Sequence, residues 1–498
     1  MTTQPMVSTR SGSVRGISTG TVAVFKGIPY AQPPVGARRF APPQPAVPWD
    51  GIRDATVYGP TAPKAPYVPP YDQLVPEAGT PGDDYLNLNI WTPDPAGSGL
   101  PVMVFIHGGA FTNGSGAVPA YDGSRFARDG VVCVTLNYRL GADGFLVLGD
   151  NPANLGLLDQ IAALTWVSEN IASFGGDPGN VTVFGESAGA MSIAVLLAMD
   201  AARGLFRRAI LESGAGHHAL TPGTARLIGT RLAEKLGVEP TLAGIADVPV
   251  DRVTRAQQEL RAEIVARPDP ALWGQAALNQ VPFLPVIDGE TLTALPAERI
   301  AAGAGAGVDI LIGHNTDEFR FYLVPTGAID LVEEWQLRRS AAAYGLLVDE
   351  ALAVYRAGRP GATPGDLLAA VTTDWFFAIP ALRLAEAHAA CGAARTYLYE
   401  FAWQSPAFDG RIGACHVAEL GFVFDNLHDK GLAPLIGERP PQQLADTMHA
   451  AWVAFATSGD PGWAGYGADH RTVMRFDTVS RTVTDPRPME RALWEGLR

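Results

Sequence analysis

GESAG, residues 185–189, is the first pattern in this chain with the makings of a reaction centre. The run VTVF precedes Ser187 and AGAMSIAVLLAM follows it. A β-rich run, a tight turn and a helix-like run form the setting of a nucleophile elbow, which lifts a serine above a sheet edge. Glycines at −2 and +2 let strand and helix pack closely without Cβ clashes. Five residues alone are a weak signal. The chain carries its own control, because GISTG, residues 16–20, repeats the spacing around Ser18. Ser18 lies between strand-like runs with no helix after it and reads as structural. Ser187 reads as a nucleophile.

A serine hydroxyl is unreactive without a base, and the base needs an orienting acid. On this kind of elbow the chain order is serine, acid, histidine. That order filters nine histidines. His107, His217 and His218 fall before or too close to the serine strand, and His314 before or beside the acid. His388 and His449 sit in Ala-rich helical stretches and read as surface or packing residues. His428 and His470 lie in polar loops and read as solvated. His416, in the glycine-marked GRIGACHVAEL after RTYLYEFAW, fits both order and context. The acid should end a strand between them. GHNTDEF (313–319) offers Asp317 and Glu318, which residue chemistry does not separate. Asp288 in PVIDGE competes, but its segment reads as a turn. An oxyanion hole should draw on the N–H of Ala188 and on the HGGAF loop (107–111) after VMVFI. Taken alone, that loop has a lesser reading as a glycine turn leaving a strand, which weakens sharply beside GESAG.

These groups need a scaffold. VMVFIHGG, VVCVTLNYR, VTVFGES, RAILESG, VDILIGHNTDE and RTYLYEFAW are short apolar runs ending in small or polar residues. Amphipathic stretches such as 154–176 separate several of them. That alternation predicts an α/β fold with a large, mostly parallel central sheet flanked by helices. Polar residues gather at the C-terminal strand ends, where open α/β sheets bind ligands. VRGISTGTVAVFKGIPYA reads as a hairpin and YLNLNIW (85–91) as a strand. The Pro- and Gly-rich segment 29–101 around it predicts long N-terminal loops. Stretches of about 221–270 and 330–390 read as helical insertions, with Gly237 as a helix stop. The expectation is one domain over 1–498.

Lys and Arg total 37 against 51 Asp and Glu, a net charge of −14 over 498 residues. An acidic chain without basic runs argues against nucleic acid and anionic membrane as partners. It favours a small-molecule substrate. Three cysteines do not form a disulfide framework, and Cys133, within VVCVTL, reads as core. The first residues lack an apolar leader core, and no run reaches ~18 apolar residues. A cytoplasmic location is expected; the oligomeric state is not legible.

At this point the chain resembles the type-B carboxylesterases, the α/β-hydrolase family that includes the cholinesterases. The resemblance runs nearly end to end. It rests on FKGIPYAQPPVGARRFAPPQP (25–45), YLNLNIWTP (85–93), HGGAF, NYRLGADGFL (137–146), the long segment 154–189 ending in GESAG, and AWVAFATSGDP (451–461). It implies Ser187 as nucleophile, Glu318 rather than Asp317 as the acid, and His416 as the base. It implies Gly109, Ala110 and Ala188 as oxyanion donors. Glu186 and Ser213 match polar residues beside the site, with plain structural roles as the alternative. The implied activity is ester hydrolysis through an acyl-enzyme, with no metal or cofactor. The alternatives are an amide, carbamate or lactone hydrolase with the same triad, or a non-catalytic binding protein on this fold. Asp84 stands where the family often has a disulfide cysteine, which fits a reducing compartment and leaves the 60–83 loop untied. Phe319 stands where the family usually has glycine, with altered packing behind the site expected. Trp273, Phe283, Phe319, Phe321, Tyr322, Trp375 and Phe376 are candidate pocket aromatics, which implies short-chain or aryl esters.

Overall fold

The structure is a computed structural model that describes residues 4–149 and 151–497. Near the N-terminus, β1 (Met6–Thr9) and β2 (Gly12–Arg15) pair antiparallel, and β5 (Ile52–Asp54) adds to β2 in parallel. The expected hairpin is β3 (Ile17–Ser18) and β4 (Ala23–Pro29), with Ile17 opposite Val24. YLNLNIW becomes β6 (Asn87–Thr92), and the apolar runs become β7 (Leu100–Ile106), β8 (Val132–Leu136) and β9 (Gly176–Glu186). They continue as β10 (Arg208–Glu212), β11 (Asp309–Asn315) and β12 (Thr396–Phe401). Two strands not anticipated above, β13 (Thr472–Phe476) and β14 (Arg481–Thr484), close one edge. Their arginines hide the strand pattern: Arg475 pairs across the sheet with Glu400, its neighbour on β12, at 3.0 Å.

The main sheet has eleven strands in the order β14-β13-β12-β11-β10-β9-β7-β8-β6-β4-β3. Every pairing from β13 through β8 is parallel; the pairings at both edges are antiparallel. Parallel strands buried on both faces explain the continuous apolar runs, and β8 is buried at every position. Chain order reverses between β8-β7 and β9, so the C-terminal ends of β7 and β9 flank a topological switch point.

The helix Ala188–Ala198 leaves β9 and is buried along its whole length, which is why its sequence shows no polar face. Behind β8, the buried Arg139 grips Asp159 of the helix Leu155–Asn170 through two contacts of 2.8 and 2.7 Å. Helices fill both expected insertions, among them Pro222–Leu236, Val250–Ala266, Glu334–Ala343 and Val348–Gly358. Gly237 ends the first of these at φ 71°, as its type suggests. The helical run 364–391 is apolar enough to span a membrane, yet 67% of its apolar 18-residue stretch is buried inside the protein. Its middle, Asp374–Ala378, widens into a π-turn.

The 60–83 loop is held by polar contacts instead of a disulfide. Arg53 pairs with Asp84 at 2.7 Å, Lys64 with Glu77 at 3.4 Å, and Asn113 donates to the Ala65 carbonyl at 2.8 Å. Tyr71 reaches from the loop to the Tyr322 carbonyl at 3.0 Å.

Candidate active site

Ser187 sits between β9 and its helix with φ 55° and ψ −120°, a strained conformation for a residue with a Cβ. Two glycines make the turn feasible. A Cβ on Gly189 would lie 1.9 Å from the Ile106 carbonyl oxygen, and one on Gly185 would lie 2.6 Å from it. The end of β7 therefore fills the space that side chains at −2 and +2 would need. The Ser187 N–H donates to the Glu212 carbonyl at 2.9 Å, fixing the elbow to β10.

Three separate segments meet at this serine. His416 comes from the loop after β12, and its Nε2 lies 2.9 Å from Ser187 Oγ. On the other side of the ring, Nδ1 lies 2.6 Å from Glu318 Oε2. Glu318 follows β11, is fully buried, and accepts the Asn315 N–H on Oε1 at 2.8 Å. The His416 N–H in turn donates to the Glu318 carbonyl at 3.3 Å. Asp317 points elsewhere: its Oδ2 accepts from Gln404 at 3.0 Å and from the Ala414 N–H at 3.2 Å. Its carboxylate braces the loop before His416 instead of reaching the ring.

The HGGAF loop leaves β7 beside the serine. Gly109, Ala110 and Phe111 all have positive φ, at 109°, 53° and 59°. Gly109 has no room for a Cβ, which would meet the Asn113 carbonyl oxygen at 2.3 Å. Among the described residues, the N–H groups of Gly109, Ala110 and Ala188 donate to no protein acceptor. Ala110 and Ala188 line the same pocket as Ser187. His107 supports this loop: its Nδ1 lies 2.8 Å from the Gly108 carbonyl and its ring stacks on Tyr138. Burial pushes His107 down to about 3, so it is neutral at ordinary pH.

Glu186 is buried, with Oε1 3.2 Å from His416 Nε2. Burial, then Glu419, Glu318 and Glu212, hold its carboxyl well above the usual range. Ser213 is buried at φ 54°, its hydroxyl without a hydrogen-bond partner among the described residues. Two further buried acids were not anticipated. Glu419 accepts from the Asn315 amide at 2.5 Å and is pushed up to about 7, first by burial and then by Glu318. Glu212 accepts from the Trp452 indole at 2.8 Å. Both sit close in sequence to recognised motifs, Glu419 three residues after His416 and Glu212 at the end of RAILE.

The remaining histidines sort by burial. His388 and His449 are buried packing residues, bonded to Thr396 at 2.8 Å and to the Val423 carbonyl at 2.7 Å. The surface option for them is thus excluded. His428 and His470 are exposed. Asp288 organises its own turn, accepting from the Thr291 and Leu292 N–H groups at 2.9 Å.

The pocket in front of Ser187 encloses roughly 620 Å³ including its open mouth, within the usual range for small-molecule sites. Of the seven candidate aromatics, Phe319, Tyr322 and Phe376 line it. Phe319 faces the pocket, not the packing behind the site. Phe321 packs toward the His416 ring at 6.1 Å without lining the pocket. Trp273, Phe283 and Trp375 do not line it either: the Trp273 indole donates to the Arg267 carbonyl, Phe283 is core, and Trp375 stacks on Tyr344. Phe111, Tyr344 and Phe377 were missed. The π-turn 374–378 brings Phe377 to 4.8 Å from the His416 ring, and nothing in helical periodicity announces it.

Residues 3–494 match the carboxylesterase family. The chain is 38% identical to the para-nitrobenzyl esterase of Bacillus subtilis, covering 98% of each protein. It is 35% identical to the liver carboxylesterase of Sus scrofa over 93% of this chain and 86% of the other. A solved carboxylesterase from Geobacillus stearothermophilus superposes with a TM-score of 0.85 at 40% identity, covering 98% of this chain and 99% of that one. With an α/β-hydrolase fold and relatives of this kind across nearly its whole length, the chain belongs to the carboxylesterase family and is a carboxylic-ester hydrolase.

Proposed function

We propose that this protein hydrolyses small carboxylic esters through a Ser187–His416–Glu318 triad and an acyl-enzyme. The observation that carries the reading is the unbroken chain Ser187 Oγ to His416 Nε2 at 2.9 Å and His416 Nδ1 to Glu318 Oε2 at 2.6 Å. As Ser187 Oγ attacks the ester carbonyl, His416 takes its proton. Glu318 holds the ring in the tautomer with Nδ1–H and stabilises the imidazolium. The tetrahedral oxygen accepts from the N–H groups of Gly109, Ala110 and Ala188. They are held in place before the charge develops, so little reorganisation is needed. His416 returns the proton to the leaving alcohol. Water then repeats the sequence on the acyl-enzyme.

Glu186, its carboxyl held well above the usual range by burial and the neighbouring glutamates, lies 3.2 Å from His416 Nε2, while Glu318 at 2.6 Å serves as the ring's counter-charge. Ser213 packs beneath the elbow. The aromatic pocket supports short-chain or aryl esters, as does similarity to a protein named para-nitrobenzyl esterase; similarity to one named Phenmedipham hydrolase favours a carbamate as the second reading. One sheet drawing strands from residue 17 to residue 484 supports a single working domain. Three free thiols support a cytoplasmic location.

Hydrolysis of p-nitrophenyl acetate and butyrate tests the reading, beside amides of the same acids. Turnover of the esters with a much higher kcat/KM than the amides is the expected result. A preference for amides, or no reaction in a folded protein that also ignores an organophosphonate probe, overturns it.

A further inference from the structure

The substrate pocket is apolar and aromatic on most of its wall, with one exception. Arg261 lines it, and among the described residues it is the only Lys, Arg, Asp or Glu side chain that does. It stands on the helix Val250–Ala266, four residues after Gln257 and so on the same face. Gln257 fixes that face, accepting the Ala142 N–H at 2.9 Å, and Val253, Leu260 and Ile264 bury the helix below it. Arg261 is thus carried by an anchored helix.

Its charge is uncommitted. Among the described residues, Arg261 forms no ion pair, no hydrogen bond and no cation–π contact. Other partly buried arginines in this chain do, as when Arg320 pairs with Asp366 at 2.9 Å and Arg359 with Glu490 at 2.7 Å. Asn279 and Gln280 line the same pocket, the latter in a left-handed turn at φ 53°. A guanidinium and two carboxamides put hydrogen-bond donors on one wall, and no carboxylate lines that wall to neutralise them. In a chain of net charge −14, an acid-free pocket with a single free cation is the reverse of the average surface.

A planar guanidinium with paired N–H groups matches a carboxylate. We infer that Arg261 is a specificity-determining residue that favours esters bearing a second, ionised carboxyl group, held at Arg261 while the ester carbonyl sits at Ser187. The substrate class is then the monoesters of dicarboxylic acids, or esters of carboxylated alcohols and phenols. This inference rests on the esterase reading above and narrows its substrate.

The test uses two matched pairs on the full-length protein: 4-acetoxybenzoate with 4-acetoxybenzamide, and monomethyl adipate with methyl hexanoate. Each variant is scored by its ratio of kcat/KM, anionic over neutral, so any loss of folded enzyme cancels. In Arg261→Gln the ratio should fall about 10- to 100-fold for at least one pair, mainly through KM, as for a lost charge-assisted hydrogen bond. Arg261→Lys should recover part of it. Arg231→Gln, which removes an exposed charge from the neighbouring helix, should leave the ratio where it was. An unchanged ratio in Arg261→Gln for both pairs overturns the inference while leaving the esterase intact. Failure of the wild type on all four substrates overturns the esterase reading and this inference with it.

Discussion

The chain holds the same five-residue spacing twice, and the two copies have opposite fates. In GISTG, Ser18 ends a two-residue edge strand, is exposed, and donates weakly to the Gly20 carbonyl at 3.3 Å. In GESAG, Ser187 is buried at φ 55°, held by β10, and faces an imidazole. The glycines at −2 are alike, since a Cβ on Gly16 would lie 2.4 Å from the Val24 carbonyl oxygen and one on Gly185 would lie 2.6 Å from that of Ile106; those at +2 differ as much as the serines. A Cβ on Gly20 would meet nothing within 4 Å, whereas one on Gly189 would overlap the backbone of β7. A motif becomes a site when the surrounding elements leave its residues no other conformation.

Substitution can break this comparison, and the largest effect belongs to the serines. Ser187→Ala should lower kcat for p-nitrophenyl butyrate by about 10,000-fold or more. Ser18→Ala, prepared alongside, should match the wild type in both rate and Tm. Comparable losses in the two would mean that context does not distinguish the copies.

The adjacent acids extend the contrast to residues one position apart. Glu318→Gln should cost on the order of 1,000- to 10,000-fold in kcat, because the ring loses its counter-charge and its tautomer. Asp317→Asn should cost far less, since Asp317 braces a loop. Steady-state kinetics of the pair decides, and equal losses would return the acid to either residue.

The glycines come next. Gly189→Ala should destabilise the fold by about 3 kcal/mol or more, because the clash is with a buried backbone oxygen that has nowhere to move. Gly20→Ala should cost only about 1 kcal/mol, the strain of a left-handed turn in open space. Thermal or urea unfolding of both reads the difference.

The smallest effect is a pH dependence read at the GESAG end. Glu419 is pushed from 4.5 up to about 7 in the folded protein. Below the unfolded value both states carry the proton and nothing is lost. Between the two values the unfolded chain has released it while the folded chain keeps it, so stability declines as pH rises through that window. Glu419→Gln should flatten the decline of Tm across about pH 4.5 to 7. A variant that declines as steeply as the wild type would assign the slope to the other acids held above their usual range, Glu186, Glu212, Asp143, Asp374 and Glu77 among them.

Much of this was legible in the residues. Apolar runs marked the strands β7 to β12 because a strand buried on both faces needs apolar side chains throughout, and alternation marked β6. The helical insertions and Gly237 followed from composition and cap chemistry. Ser187 and His416 followed from motif, order and context, since an elbow imposes local constraints that a short segment records. Asp317 and Glu318 were not separable by residue chemistry, because two adjacent acids differ only in where the turn after β11 aims them. That aim is set by the Asn315 N–H on one carboxylate and by Gln404 and Ala414 on the other. The strands β13 and β14 were missed, because Arg475 and Arg481 obscure their alternation. Trp273 and Trp375 were put at the pocket and Phe377 was not, because an aromatic ring suits core and pocket equally.

By itself, then, the sequence determined which residue types were available and where the backbone had to turn, since periodicity, glycine placement and capping act over a few residues. Only the tertiary structure decided which of them meet. The 2.9 and 2.6 Å contacts at His416 join residues separated by 229 and 98 positions. The guanidinium of Arg261 meets no hydrogen-bond or ion-pair partner among the described residues. Distances across that many residues depend on the packing of the whole sheet and its insertions, which no local pattern encodes.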